Sequence, residues 1–157
     1  MSKTTASRYH DISAGHRVTG HESKCRHLHG HNYRVHFDCE ADELDSVGRV
    51  IDFSVIKEKL CMWLEDNWDH KFLYWEHDPL IGALTLDRGS YPGGVSYSID
   101  LVDFGDSMVK VPFNPTAENM AQYLVDVVGP EQLKGTGVRL VKVTIDETMK
   151  CSASYGV

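Results

Sequence analysis

The segment "YRVHFDCE", residues 33–40, alternates strictly between apolar and polar side chains. Successive side chains of an extended strand point to opposite sides, so Tyr33 and the apolar residues that follow it would share one face. A strand with one apolar face needs a second layer to cover that face, which predicts a sheet packed on one side. Strands are also indicated at residues 8–18, 138–147 and 152–157.

Two segments change to a helical period. The first, "DFSVIKEKLCMWLEDNW", has apolar residues at helical spacing and either Asp52 or Ser54 as its N-cap. The second begins after Thr116 as N-cap and ends at the stop signal Gly129-Pro130. The order ββααββ predicts an α+β protein, in which a four-stranded antiparallel sheet carries two helices on one face.

The chain between the two helices is longer than a simple connection requires. The segments "VSYSIDLVDF" and "SMVKVPF" resemble two strands joined by a two-residue turn at Gly105-Asp106, with glycine where positive φ is needed. We therefore expect one domain over residues 1–157, with an insertion at about 75–111 that contains an extra hairpin.

Charge and hydropathy limit the partners. The chain has 16 basic and 23 acidic residues and a net charge of -7, which argues against a nucleic-acid or anionic-membrane surface. It contains no apolar run long enough to span a bilayer, and its N-terminal residues lack the apolar stretch of a signal peptide. We expect a cytoplasmic protein whose four cysteines are thiols.

The segment "KCRHLHGHNY", residues 24–33, contains the candidate chemistry. His29 and His31 are two residues apart, so in an extended chain both imidazoles point to the same face and could grip one metal ion. His16, at the end of the preceding strand, is the best candidate for a third ligand. Three histidines with an open fourth position are typical of a catalytic zinc site. The alternative is that these are surface or loop histidines without a metal.

Cys25 has two interpretations. Its neighbours Lys24, Arg26 and His27 make the loop locally positive, which favours a reactive thiolate. Cys25 could instead be the fourth ligand of a closed Cys/His structural zinc site, in which case the protein would be non-catalytic. Cys39 and Cys61 lie at apolar positions of a strand and a helix, and we interpret them as small buried hydrophobic residues.

Motifs occur along the chain in a characteristic order: "AGHRV", "CRHLHGHNY", "VIDFSVIK", "WDHKFL", "PFNPTAENMAQYL" and "VTIDET". This ordered set, which covers nearly the whole chain apart from residues 75–110, resembles the 6-pyruvoyl-tetrahydropterin synthase and 6-carboxy-tetrahydropterin synthase family. The resemblance implies a tunnelling fold, a zinc ion held by three histidines, a proton-accepting cysteine, an assisting Asp-His pair and a glutamate that anchors the pterin.

Carried over residue by residue, the resemblance assigns His16, His29 and His31 to zinc. It assigns catalysis to Cys25, Asp69, His70 and Glu147, and substrate binding to Glu147 and Thr116. Glu147 shares the parity of Val143 and Ile145, so a bidentate acceptor for the pterin edge would point along an apolar face. The alternatives are that the strand has already ended before Glu147, and that Asp69-His70 is a solvated helix end.

The reaction implied by the resemblance is that of a lyase acting on 7,8-dihydroneopterin triphosphate. In the carboxy branch, the product is 6-carboxy-5,6,7,8-tetrahydropterin with release of acetaldehyde and triphosphate, on the route to 7-deazaguanine nucleosides such as queuosine. In the pyruvoyl branch, triphosphate leaves and the side chain stays whole. Three residues separate Cys25 from His29, the short spacing of the carboxy branch, which we favour. A relative that only binds pterins is a further alternative.

The predicted sheet has two unpaired edges, which proteins commonly cover or join. The resemblance implies that subunits join edge to edge into rings and that two rings stack into a hexamer, a dimer of trimers with sites at the subunit interfaces. The site residues would then not all come from one chain.

Overall fold

The computed structural model of the chain describes residues 3–86 and 105–157, which form a layer of helices packed on a mixed sheet. The sheet has six strands in the order β4-β3-β1-β2-β5-β6. Their bounds are β1 Thr5–His16, β2 His29–Ala41, β3 Phe72–Trp75, β4 Met108–Val111, β5 Val138–Asp146 and β6 Ser152–Gly156.

The four strands expected from the sequence form the antiparallel part of this sheet. β1 pairs with β2 from Thr5↔Glu40 to His16↔His29, β2 pairs with β5, and β5 pairs with β6. β3 and β4 add a parallel part beside β1. The α+β fold with helices against a sheet is therefore confirmed. Of the two further strands in the described residues, β3 was not predicted and β4 lies within the second strand of the predicted hairpin.

The first predicted helix extends over residues 53–67 and is not uniform. It consists of α1 Phe53–Ile56, a π-helical turn Lys57–Cys61 and α2 Met62–Asn67. Asp52, not Ser54, is its N-cap, because the Asp52 carboxylate accepts a hydrogen bond from the Ser54 amide. An additional helix, α3 Pro79–Leu86, follows β3.

The second predicted helix begins where expected and ends later. Thr116 caps α4 Ala117–Tyr123 by accepting a hydrogen bond from the Asn119 amide. A π-helical turn, Leu124–Val128, and α5 Gly129–Gln132 continue it, so the predicted stop at Gly129-Pro130 was wrong. Pro130 lies in the first turn of α5, directly after the π-helical turn.

The predicted hairpin is described only in part. Its first strand, at 95–104, lies outside the described residues. The second contains β4, but residues 105–107 form a helical turn, and Gly105 is not among the glycines with positive φ. The predicted two-residue turn was therefore wrong, and β4 pairs in parallel with β3.

The core lies between the sheet and the helices. Phe37 and Val35 of β2 pack there with Leu64 of α2 and Leu124 of the second helix, all of them fully buried. Cys39 and Cys61 belong to the same core, as their apolar positions indicated. Among the described residues, no helix is long and apolar enough to cross a membrane.

Candidate metal and substrate site

Three histidines meet where β1 ends and β2 begins. The antiparallel register places His16 directly opposite His29, and the parity of β2 puts His31 on the same face. One ligand atom from each of the three imidazoles lies within 4.8 Å of those of the other two. The predicted cluster is thus assembled by strand pairing, and its three nitrogens could hold a metal ion.

The orientation of the rings suits metal binding. His16 Nδ1 is 2.6 Å from the Pro115 carbonyl and His29 Nδ1 is 2.7 Å from the His27 carbonyl, so their Nε2 atoms face each other at 3.1 Å. A backbone carbonyl that receives the other ring N–H commonly fixes a metal-binding imidazole. The three donor nitrogens therefore fit a divalent ion such as zinc.

The electrostatics of the cluster favour the neutral form of His16 and of His31. Burial lowers the pKa of His16 to about 4, with His29 and His31 acting in the same direction and the Pro115 carbonyl opposing them. Burial also lowers the pKa of His31. The His31 Nε2 atom is buried and makes no hydrogen bond to the described residues, although Glu147 Oε1 lies 3.4 Å away. A buried nitrogen without a partner is the donor that a metal ion would satisfy.

Two glycines make the close approach of the strands possible. Gly15 and Gly30 pair with each other in the register of β1 and β2. A Cβ atom on Gly30 would stand 2.9 Å from the Ala14 carbonyl oxygen, and one on Gly15 would stand 2.6 Å from a ring carbon of Phe72. The residue between the two β2 histidines therefore has to be small for steric reasons.

Glu147 lies beside this cluster. Arg34 pairs with Asp146 at the end of the β2–β5 ladder, so continuing the register by one residue sets Glu147 opposite Tyr33. Its carboxylate approaches His31, and its side chain is only 23% exposed. Glu147 thus lies directly after the strand, on the face that its parity predicted.

Cys25 lies in a short 3₁₀ helix, Lys24–Arg26, and is half-buried. It lines a cavity of about 310 Å³ together with Glu147 and Thr116 of the same chain. Cys25 does not belong to the histidine group described above. A closed Cys/His site is therefore not formed by these residues, and the cavity leaves room for a ligand next to both the thiol and the carboxylate.

Asp69 and His70 form a hydrogen-bonded pair in the turn before β3. His70 Nδ1 is 2.7 Å from Asp69 Oδ2, while Asp69 Oδ1 accepts a hydrogen bond from the Ser13 amide at 2.9 Å. Burial raises the pKa of Asp69, but the bonds from Ser13 and His70 outweigh it, so the net pKa lies below its ordinary value. The carboxylate is therefore ionised and able to orient the imidazole.

The Asp69-His70 pair and Cys25 line different cavities. Asp69 and His70 line a cavity of about 880 Å³ with Asp11 and Arg34, whose side chains lie on the sheet face opposite the core. His70 also lines a cavity of about 530 Å³ that the 29–31 segment borders. The structure thus groups the histidine triad with Glu147 and groups Cys25 with Glu147 and Thr116, while His70 shares a cavity with His29 and His31 but not with Cys25.

Tyr33 is a residue of the site that the sequence analysis used only as a strand residue. Its ring contacts those of His16 and His31 edge-on, with centroids 5.9 and 5.3 Å apart. Its hydroxyl is buried without a hydrogen-bond partner among the described residues. Burial, Glu147 and Cys25 all raise its pKa, so the phenol stays neutral. The sequence contains the signal, because Tyr33 is two residues after His31 on the same strand and therefore lies on the same face.

Comparison with known proteins identifies the class to which this fold and site belong. A sequence model described as 6-pyruvoyl tetrahydropterin synthase matches residues 5–156. A 6-carboxy-5,6,7,8-tetrahydropterin synthase from Rickettsia felis is 30% identical over 90% of this chain and 91% of its own. One from Rickettsia typhi is 31% identical over the same shares. The chain belongs to the 6-pyruvoyl tetrahydropterin synthase family, and it is a lyase.

Solved structures share the fold of this chain. An uncharacterized protein from Wolinella succinogenes superposes with a TM-score of 0.81 at 26% identity, covering 99% of both chains. The Caenorhabditis elegans 6-pyruvoyl tetrahydropterin synthase gives a TM-score of 0.63 at 23% identity, covering 100% of this chain and 97% of that one, which shows a shared fold.

Proposed function

We propose that this protein converts 7,8-dihydroneopterin triphosphate and one water molecule to 6-carboxy-5,6,7,8-tetrahydropterin, acetaldehyde and triphosphate, with Zn²⁺ as its metal. The observation that carries the proposal is the cluster of His16, His29 and His31 beside Glu147. The names of the curated relatives support the carboxy product. Such a product would serve the synthesis of 7-deazaguanine nucleosides such as queuosine.

His16, His29 and His31 would hold the metal through nitrogen donors and leave the remaining position for substrate. Zn²⁺ bound there would supply Lewis-acid polarisation of the side-chain hydroxyls of the substrate. The buried surroundings of His16 exclude water from this side of the site. Glu147 would accept the 2-amino group and the ring N–H of the pterin, which present two donors side by side to a bidentate carboxylate.

Proton transfer would be divided between two groups. The Cys25 thiolate would remove a proton from the substrate side chain, since it lines the cavity that Glu147 also lines. His70, oriented by Asp69, would exchange a proton with a side-chain hydroxyl as triphosphate leaves. Thr116 lines the same cavity as Cys25, which is consistent with a contact to substrate, although its own hydroxyl is used as a helix cap.

We further propose that the functional form is a cytoplasmic homohexamer made of two stacked trimers. The sheet supports this because β4 and β6 are its two edges within one described chain. Unpaired edge N–H and C=O groups favour pairing with another subunit. Sedimentation at working concentration tests the assembly, and a monomer would contradict it.

One assay tests the reaction. The purified, zinc-loaded protein is incubated with dihydroneopterin triphosphate, and acetaldehyde and the pterin product are quantified by chromatography and mass spectrometry. Equimolar acetaldehyde and 6-carboxy-tetrahydropterin are expected. Loss of triphosphate without acetaldehyde would instead assign the pyruvoyl reaction, and an unchanged substrate would overturn both. His29→Ala, prepared identically, is the matched negative control.

A further inference from the structure

The loop that carries Cys25 is tied down at its base by the end of the preceding strand. The Val18 amide donates to the Cys25 carbonyl at 2.8 Å, and Arg17 Nη1 donates to the Arg26 carbonyl at 2.9 Å. Two successive carbonyls of the 3₁₀ helix are therefore held by residues 17 and 18. Because Cys25 itself makes one of these bonds, any movement of Arg17 or Val18 moves the thiol.

Asp78 holds both neighbours of Val18. Its carboxylate accepts from Arg17 Nε and, at 3.0 Å, from the Thr19 hydroxyl. The Asp78 side chain is fully buried, and that of Arg17 is only 13% exposed. A buried, ionised pair that is also hydrogen-bonded has a strongly preferred geometry, unlike an exposed one.

Asp78 is in turn fixed from behind. Its Oδ1 atom accepts from the Leu80 amide at 2.9 Å, so the residue also caps the start of α3. Asn114 holds Thr19 from the other side through two bonds to its backbone, at 2.8 and 2.9 Å. The path from α3 to the thiol consequently consists of short polar contacts between well-placed groups, with no exposed side chain in it.

We propose that Asp78 and Arg17 are positioning residues for Cys25, through which the start of α3 sets where the thiol lies in its cavity. The inference deepens the proposed function and rests on the role assigned there to Cys25. It assigns a function to Asp78 and the start of α3, which belong to the segment at about 75–111 that the family resemblance did not cover. Neither residue touches substrate in this proposal, because both act through the backbone of the Cys25 loop.

Arg17→Lys is the sharpest test. Arg17 donates from two different nitrogens: Nε donates to the Asp78 carboxylate, and Nη1 donates to the Arg26 carbonyl. Lysine has a single side-chain nitrogen. The variant keeps the positive charge next to Asp78 and loses the second bond. We expect kcat to fall about tenfold with KM nearly unchanged, since small misplacement of a reacting group costs rate more than binding. Metal content should stay at the wild-type level.

Thiol chemistry gives a readout that does not depend on turnover. The holoenzyme is treated with iodoacetamide, and alkylation of Cys25 is followed by peptide mass spectrometry relative to Cys151, an exposed thiol. The ratio of the two rates should change in Arg17→Lys. It should not change in Arg49→Lys, a matched control in which Nε and Nη1 likewise bridge two acceptors, Asp45 and Asp52, on the surface.

The outcomes separate this inference from the proposed function. A wild-type alkylation ratio in Arg17→Lys would overturn the positioning role, whatever the activity. An altered ratio in a protein that does not turn over dihydroneopterin triphosphate would support the positioning role and refute the reaction. If Arg17→Lys does not fold, Asp78→Asn replaces it, because asparagine keeps an oxygen for the Leu80 amide and removes the charge that holds Arg17.

Discussion

The histidine triad and the Asp69-His70 pair are built in opposite ways. The triad lies on two paired strands, and His16 is 1% exposed, whereas the His70 side chain is 81% exposed and its backbone has a φ of 58°. Strand pairing fixes the triad before any ligand arrives. The pair lies in a turn that is held by Ser13 of β1 and by its own hydrogen bond, and its surroundings remain open. A metal site needs ligands that are fixed in advance, as paired strands fix the triad. A proton-transfer group on an open face, by contrast, needs a neighbouring subunit or segment to enclose it.

The largest expected effect tests the strand-built region. His29→Ala removes one of three ligands, so metal affinity should fall about a hundredfold or more, and activity should fall with it. Metal analysis after dialysis measures the loss. His27→Ala is the matched control, because its carbonyl, which orients His29, remains in place. Full zinc occupancy in His29→Ala would show that the triad is not the metal site.

The next effect separates the metal from the thiol. Cys25→Ala should lower kcat by about a hundredfold or more, the range typical of a lost proton-transfer group, and leave zinc content unchanged. The reason is that Cys25 is not among the clustered ligands. If Cys25→Ala lost its zinc, the thiol would be a metal ligand, and the assignment of zinc to the histidines and proton transfer to Cys25 would be wrong.

A subunit-mixing experiment tests the exposed Asp69-His70 pair. Cys25 lines a cavity with Thr116 and Glu147, whereas the cavity of about 880 Å³ that His70 lines includes neither of these residues nor Cys25, so we expect one substrate to reach both Cys25 and His70 across a subunit boundary. Inactive Cys25→Ala and His70→Ala proteins are mixed in equal amounts and allowed to exchange subunits. Activity should return to about a quarter of wild type, because a quarter of the interfaces combine two intact residues.

The control for this experiment is a mixture of Cys25→Ala and Glu147→Ala. These residues line one cavity of one chain, and so no mixed site is intact and no activity should return. Restored activity in this control, with exchange verified by mass spectrometry, would place Cys25 and Glu147 on different chains. Silence in both mixtures would put all three residues in one chain.

The smallest effect concerns Tyr33, within the buried region. Its hydroxyl has no partner among the described residues, and leaving such a group buried typically costs about 1–3 kcal/mol. Tyr33→Phe should therefore keep or raise the free energy of unfolding of the metal-free protein, by about 1 kcal/mol at most. Urea denaturation monitored by circular dichroism measures it. A clear loss of stability would reveal a partner for the hydroxyl, and Tyr9→Phe is the control, because Tyr9 is exposed.

The two regions also differ in how much of them the sequence could predict. Parity along β2 and pairing with β1 sufficed to bring His16, His29 and His31 together, because strand geometry repeats every two residues. Nothing comparable predicts the turn at His70, whose left-handed backbone depends on the Ser13 carbonyl accepting from its amide. There the assignment came from family resemblance alone.

The missed parts of the fold have the same origin. The parallel pairing of β3 with β1 and β4 depends on contacts distant in sequence, which a local pattern does not contain. The π-helical turn Leu124–Val128 allowed the second helix to continue through Gly129-Pro130, where local signals indicated an end. Tertiary packing overrode the local preference in both cases.

The Gly15–Gly30 pair makes the histidine site depend on both β1 and β2. Since Gly30 does not have a positive φ, its value to the chain is its lack of volume, not its freedom of rotation. Transplanting this site onto another sheet would thus require five positions: the three imidazoles and the two empty places between them. A graft of the histidines alone would carry the ligands without the space that the Ala14 carbonyl and the Phe72 ring occupy here.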